Sequence, residues 1–262
     1  MADIRKLETR KPGTLSQDVY SGLRKRILGL EIRPGELLSI RDISAKWGAG
    51  RTPVRDALIR LEEEGLAVSL PQRGIRISRI NPHRVAEERL IRATLEIPTD
   101  LAFLGTRRPG DIEALKEILA EQKTCVRRRD LRRLLESDDR FHRVFFQATD
   151  RMLCWQTIQN TCGHYHRVRL LTMLEKGVRD GVVRQHEEIL QSILGNNGEK
   201  LRDILKVHLG KIDREEKELA ARYPELFDQN PAAYKKSTSP LQSDFLETLE
   251  QKKGASLFYE TE

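Results

Sequence analysis

Apolar residues recur at helical spacing through the first third of the chain and then switch to alternation. Leu15, Val19, Leu23, Ile27 and Leu30 repeat every three or four residues, which predicts one amphipathic helix over 15–30. Pro34-Gly35 interrupts it with a turn. A second short helix is expected from Ser39, with Ile40, Ile43 and Trp47 inward, Arg41 outward and Gly48 as its stop. Thr52 as N-cap and Pro53 at the first helical position open a third helix that runs to Glu64 and closes at Gly65. Its inward stripe is Val54, Ala57, Leu58 and Leu61, which leaves Arg51 and Arg55, four residues apart, on one exposed side. The runs 66–70 and 75–78 then flank Pro71-Gln72-Arg73-Gly74, the pattern of a β-hairpin with a basic tip.

Helix, helix–turn–helix and hairpin, in that order, make a winged helix-turn-helix whose second motif helix is placed for a DNA major groove. Beyond Asn81-Pro82 the alternation does not return. Helices are expected at 83–106, bent at Pro98, and at 111–129, 131–148, 151–173, 178–195 and 199–221. The chain is therefore mainly α, an N-terminal winged helix-turn-helix joined with almost no linker to a C-terminal all-α helical bundle. The expected divisions are a flexible arm (1–13), the winged module (14–80), the all-α domain (81–222) and a tail (223–262) that is either disordered or packed on a partner subunit.

Charge sharpens this division. The net charge of +7 is concentrated at the N-terminus, where residues 1–80 hold 16 Lys/Arg against 10 Asp/Glu. A basic module on a nearly neutral remainder suits a nucleic-acid reader joined to something else. Three cysteines without metal-type spacing point to free thiols in a reducing compartment. With no signal-like or membrane-spanning apolar run, a soluble, cytoplasmic protein is expected.

Two positions break the bundle's pattern. Leu131, Leu134, Leu135, Phe141 and Phe145 define an apolar stripe, and Asp138 and His142 lie on it. His186 shares a face with Ile189, Leu190 and Ile193; His208 shares one with Leu201, Ile204, Leu205 and Ile212. A single inward histidine is ordinarily a satisfied core residue. One aspartate and three histidines pointing inward from three helices admit a second reading, a divalent transition metal such as Zn, Ni or Mn. His164 and His166 lie two apart on a helix, face different directions, and do not make a two-ligand motif. No phosphate loop or nucleophile elbow accompanies these residues, so an enzyme is not expected.

The residues Pro34-Gly35-x-x-Leu38, Arg41-Asp42-Ile43, Gly48-x-x-Arg51-Thr52-Pro53-Val54-Arg55-Asp56-Ala57-Leu58, Leu61-Glu62-x-x-Gly65-Leu66 and Gly74 resemble the DNA-binding domain of GntR-family transcription regulators. The resemblance implies operator contacts from Arg41, Arg51, Thr52 and Arg55, and from the wing tip at Arg73 and Gly74. It departs from the family at Ala49-Gly50, where Val-Ser is common, and at Ile40, where an acidic residue is usual. Asp138-x-x-Phe141-His142, Gln185-His186-Glu187-x-Ile189-Leu190 and His208, with Arg92-x-x-Leu95-Glu96, resemble the FCD-type effector domain of that family's fatty-acid-regulator-like branch. This implies a metal held by Asp138, His142, His186 and His208, with two coordination positions left for a small carboxylate effector. Arg92 either contacts such a ligand or forms a surface pair with Glu96; Arg169 is a further candidate lining residue. Asp150, where Asn is common, and the Asn196-Asn197-Gly198 turn, where acidic residues are usual, depart from the branch.

The expected function is a ligand-responsive regulator, a repressor, binding a palindromic DNA operator as a homodimer. The alternatives are a direct metal sensor and a metalloenzyme with an appended DNA-binding module.

Overall fold

The computed structural model describes residues 12–210 and 212–229. Helix α1 (Pro12–Leu28) begins inside the expected flexible arm, because proline at a helix start loses no backbone bond; residues 1–11 of that arm lie outside the described residues. It stops two residues before Leu30, whose φ of 56° lies in the left-handed region. Helix α2 (Ile40–Trp47) is capped by Ser39, whose Oγ accepts from Asp42 N at 3.0 Å.

Helix α3 (Arg51–Glu63) starts two residues earlier than its sequence suggests. The Val54 amide already bonds to Gly50 O at 3.4 Å, so Gly50 is the N-cap and Thr52 lies exposed in the first turn. Strands β2 (Ala67–Leu70) and β3 (Gly74–Ile77) form the expected hairpin, with Val68 opposite Arg76 and Leu70 opposite Gly74. A third strand, β1 (Leu37–Leu38), pairs antiparallel with β3 on its other side and gives the order β1-β3-β2. Gly74 permits that approach: its φ is 102°, and a Cβ there would sit 2.4 Å from Leu38 O. Val19, Leu23, Ile27, Val54, Leu61, Leu66 and Ile75 close the core beneath α1, α3 and the sheet.

Asn81 caps helix α4 (Pro82–Thr106), its Oδ1 accepting from Arg84 N at 3.0 Å, and Pro98 sits inside this helix. Helices α5 (Pro109–Arg128) and α6 (Leu131–Ala148) follow. The stretch expected as one helix over 151–173 is two, α7 (Met152–Thr161) and α8 (Gly163–Thr172), parted at Cys162. The backbone of Gly163 approaches Leu66 so closely that a Cβ would lie 2.8 Å from Leu66 Cδ2. Helices α9 (Lys176–Leu194), α10 (Gly198–Gly210) and α11 (Ile212–Arg222) complete the bundle. The side chain of Ile212, expected on the His208 face, lies outside the described residues.

The bundle has two apolar clusters. Phe103, Phe141, Phe145, Ile189 and Leu205 belong to the inner one. Ile80, Phe146, Trp155, Tyr165, Leu219 and Phe227 belong to a second, under the junction with the winged module. Residues 224–226 form a 3-10 turn that carries Phe227 into a parallel bridge with Ile80. Ile80 N donates to Leu226 O at 2.9 Å, and Asp228 N donates to Ile80 O at 2.8 Å. This first part of the expected tail therefore packs on its own chain; residues 230–262 lie outside the described residues.

Candidate metal centre and DNA-reading face

Helices α6, α9 and α10 bring His142, His186 and His208 together, with one ligating nitrogen from each within 4.8 Å of the others. His142 Nε2 and His208 Nε2 stand 3.2 Å apart. Asp138, one turn before His142, places Oδ2 3.8 Å from His142 Nε2 and Oδ1 3.6 Å from His186 Nε2. Asp138, His142 and His186 are buried, and His208 is half-buried.

The outer nitrogens are held by a second set of side chains. His142 Nδ1 lies 3.1 Å from Glu96 Oε2, His186 Nδ1 lies 2.8 Å from Gln122 Oε1, and His208 Nδ1 lies 3.0 Å from Gln185 Oε1. At His186 and His208 an acceptor at Nδ1 favours the proton there and leaves the Nε2 lone pair facing inward, while the Glu96 carboxylate stands beside His142 Nδ1. His186 Nε2 is buried without a hydrogen-bond partner. Three imidazole nitrogens and a carboxylate thus converge on one point inside the bundle. The residues fit a divalent transition metal.

Electrostatics agree with neutral ligands. Burial pushes His186 down to about 3 and His208 well below the usual imidazole range. Burial by itself would raise the carboxyls; Arg169 and His186 hold Asp138 well below the usual range, and Arg92 and His142 hold Glu96 down at about 2.

Arg92 corrects one sequence reading. Its pair with Glu96 is not at the surface: Nε donates to Glu96 Oε1, with Arg92 3% exposed and Glu96 fully buried. Arg169 Nη2 donates to Asp138 Oδ2, and its Nη1 donates to Asp139 Oδ1 at 2.8 Å. Both guanidiniums, with Tyr165, Asp138, Gln185 and His208, line a cavity of about 40 Å³ beside the histidines. That is room for a few water-sized groups. Arg92 Nη2 is buried there without a partner. Gln122 was not named from the sequence, and Glu96 and Gln185 entered only as motif residues, with no role beside the histidines. The signal for Glu96 was the i,i+4 series Arg84, Glu88, Arg92, Glu96 and Asp100, which forms a charged face inside the bundle.

In the winged module Arg41, Arg51, Thr52, Arg55 and Arg73 are exposed. The four arginines make no ion pair with a described residue, so their donors are available to a polyanion. Arg51 and Arg55 lie in the first two turns of α3, and Arg73 sits in the β2–β3 turn. Gly74 is half-buried, and what the structure gives it is the backbone role described above.

Residues 15–77 match the family of bacterial regulatory proteins called the gntR family, and residues 90–211 match the FCD domain. A Streptomyces ambofaciens protein, an uncharacterized HTH-type transcriptional regulator in an unstable DNA locus, is 31% identical over 84% of this chain and 92% of its own. The chain belongs to the GntR family of transcription regulators. Within that family the HTH-type transcriptional repressor RspR of Escherichia coli K12 is 27% identical over 82% of this chain and 94% of its own. A putative GntR regulator from Rhodococcus sp. RHA1 has the same fold, with a TM-score of 0.67, 21% identity, and coverage of 79% of this chain and 99% of that one. This GntR-FCD regulator is thus a DNA-binding protein, and no helix among its described residues is long and apolar enough to cross a membrane.

Proposed function

We propose that this regulator is a cytoplasmic, homodimeric repressor of a palindromic operator, controlled by a small organic acid that binds beside a divalent metal. Asp138, His142, His186 and His208 would hold the metal, with Zn, Ni and Mn as the candidates. Bound there, the metal supplies a positive charge and open coordination positions for a carboxylate. The observation that carries the reading is Arg92, a residue 3% exposed that lines the cavity beside His208 and whose Nη2 has no hydrogen-bond partner. A buried donor without an acceptor costs about 1–3 kcal/mol, and an anionic ligand relieves that cost.

The DNA reading rests on α3, where Arg51 and Arg55 present forked donors suited to guanine edges, with Arg41, Thr52 and the Arg73–Gly74 wing tip flanking them. Repression is supported by likeness to RspR, whose name states that role. A two-fold dimer matches a two-fold operator, and Leu90 on α4 and Leu153 on α7 are 65% and 76% exposed, as a self-complementary apolar face requires.

A screen of small organic acids by thermal shift, each with Zn²⁺, Ni²⁺ or Mn²⁺ added, tests the proposal. An acid that raises the melting temperature only when metal is present supports it; equal shifts with and without metal overturn it. The direct metal sensor is a second reading, favoured by the small cavity. There, metal alone shifts operator affinity and chelator reverses the shift with no organic acid present.

A further inference from the structure

Helix α8 touches both halves of the molecule with different faces. On one side Arg169 holds Asp138 and Asp139, and Tyr165 lies beneath the Arg92 guanidinium, 5.5 Å from its ring centroid. On the other side His164 is buried against the winged module. Asn81 N donates to its Nδ1 at 3.0 Å, which places the ring proton on Nε2, and Nε2 donates to Gly65 O at 3.1 Å. Gly65 is the residue at which recognition helix α3 gives way to the wing. Arg167, one turn on from His164, donates from Nη1 to Ser78 O at 2.7 Å, at the far end of the wing. Gly163 adds a backbone contact with Leu66 that has no room for a Cβ.

The start of α8 is fixed to the bundle: its Tyr165 amide donates to the buried Glu88 carboxylate of α4 at 2.8 Å. Away from α8 the two halves also meet, where Arg24 Nη2 donates to Gln159 O, Arg132 pairs with Glu31 at 3.5 Å and Ile80 bridges to Phe227. A cavity of about 670 Å³ separates α1 from α6 and α8, floored by Leu135 and Leu171 and rimmed by Lys25 and Asp139. The winged module therefore has space beside α1, while α8 carries the hydrogen bonds to Gly65 and Ser78, at the two ends of the wing.

We propose that α8 is the coupling element of this regulator, with Arg169 and His164 as its two positioning residues. The inference rests on the metal-centre reading above. Asp138 Oδ2 accepts from Arg169 while Oδ1 lies 3.6 Å from His186 Nε2, so a cation held at the histidines would draw the carboxylate away from Arg169. When Asp138 turns toward the histidines, Arg169 keeps only Asp139, and α8 re-seats. The same helix carries His164, so its hold on Gly65, and with it the placement of α3, changes together with Arg169.

Coupling of this kind is reciprocal: a cation that changes DNA affinity by some factor has its own affinity changed by DNA by the same factor. The test uses the full chain, Zn²⁺ alone as the probe, and a duplex selected from a random library by the wild-type protein. Zn²⁺ affinity is measured with and without DNA, and DNA affinity with and without Zn²⁺, for wild type, His164→Asn and His164→Gln. Asn retains an acceptor for Asn81 N and is too short to reach Gly65 O, whereas Gln retains a donor that reaches it. In wild type the two factors are expected to agree at fivefold or more. In His164→Asn, Zn²⁺ binding stays within twofold while the coupling factor falls below twofold, and His164→Gln restores most of it. Gly163→Ala, which crowds Leu66, replaces the Asn variant if that variant does not fold.

Full coupling in His164→Asn with Zn²⁺ bound overturns the role of α8. Zn²⁺ bound to wild type without any effect on DNA also overturns it, while leaving the metal centre standing. A wild-type protein that binds no Zn²⁺ removes the metal centre and this inference together.

Discussion

The Asp138 oxygen that accepts from Arg169 Nη2 is the same atom, Oδ2, that lies 3.8 Å from His142 Nε2. One carboxylate oxygen thus stands between a guanidinium and an imidazole. Replacing Arg169 by Ala leaves Asp138 buried without its strongest partner, a loss of about 3–5 kcal/mol in similar cases. The metal-free Arg169→Ala protein is expected to melt well below wild type, and added Zn²⁺ is expected to raise its melting temperature by more than it raises that of wild type. Thermal melts with and without Zn²⁺ check this; equal metal-induced shifts would show that Arg169 does not compete for Asp138.

The second set of side chains gives a graded expectation. His142→Ala and His208→Ala should each lose bound metal, measured by elemental analysis of the purified protein. Gln122→Leu and Gln185→Leu remove only the groups that orient His186 and His208, and should weaken metal binding about 10–100-fold. Wild-type metal content in the histidine variants would remove the site assignment.

At the other end of the molecule, Arg51→Ala and Arg55→Ala should each cost about 1–3 kcal/mol at the operator while leaving the melting temperature unchanged. If Arg73 holds phosphate at the wing tip, Arg73→Ala lowers the salt dependence of binding by about one unit of slope. Unchanged affinity in the α3 variants excludes that helix as the reading element.

Glu88 carries a pH signature. Burial raises its carboxyl from 4.5 to about 7, against the opposing pull of the Tyr165 amide and Arg84. Between those two values the folded state holds a proton that the unfolded state has released. Its contribution to stability is therefore complete below about 4.5 and is lost as pH rises through about 7. In Glu88→Gln that loss is absent. Urea unfolding at pH 5 and pH 8 should show wild type comparing better with the variant at pH 5; the opposite trend would mean that Glu88 is ionised throughout.

If the proposed dimer forms through α4 and α7, Leu153→Arg and Leu90→Arg, at two exposed leucines, place charge in its interface. Light scattering after size exclusion should show a shift toward monomer, with helical content retained by circular dichroism. Dimers of wild-type stability in both variants would place the interface elsewhere.

Much of this architecture was legible because burial follows helical spacing. Asp138 and His142 stood out because polar residues interrupted an apolar stripe, and both are buried as that implied. Strand β1 was not legible, since two leucines carry no periodicity and become a strand only by pairing with β3. The break at Cys162 was hidden for a related reason. Trp155, Ile158, Tyr165 and Val168 continue the helical spacing across it, and the break follows from the approach of Gly163 to Leu66, which lies far away in sequence. The Arg92–Glu96 pair reads as a surface pair by spacing alone. Its burial depends on His142 lying opposite Glu96, which is a tertiary fact.

The bridge between Ile80 and Phe227 also orders events in time. A chain synthesised at ordinary rates exposes Phe227 roughly 7–30 s after Ile80. The apolar residues that close the winged module's core are all present by Ile77. The joint that ties that module to its controlling half is completed only when the 3-10 turn at Pro224–Leu226 has emerged. A nascent chain therefore holds the whole DNA-reading sequence before the bridge between its two halves can close.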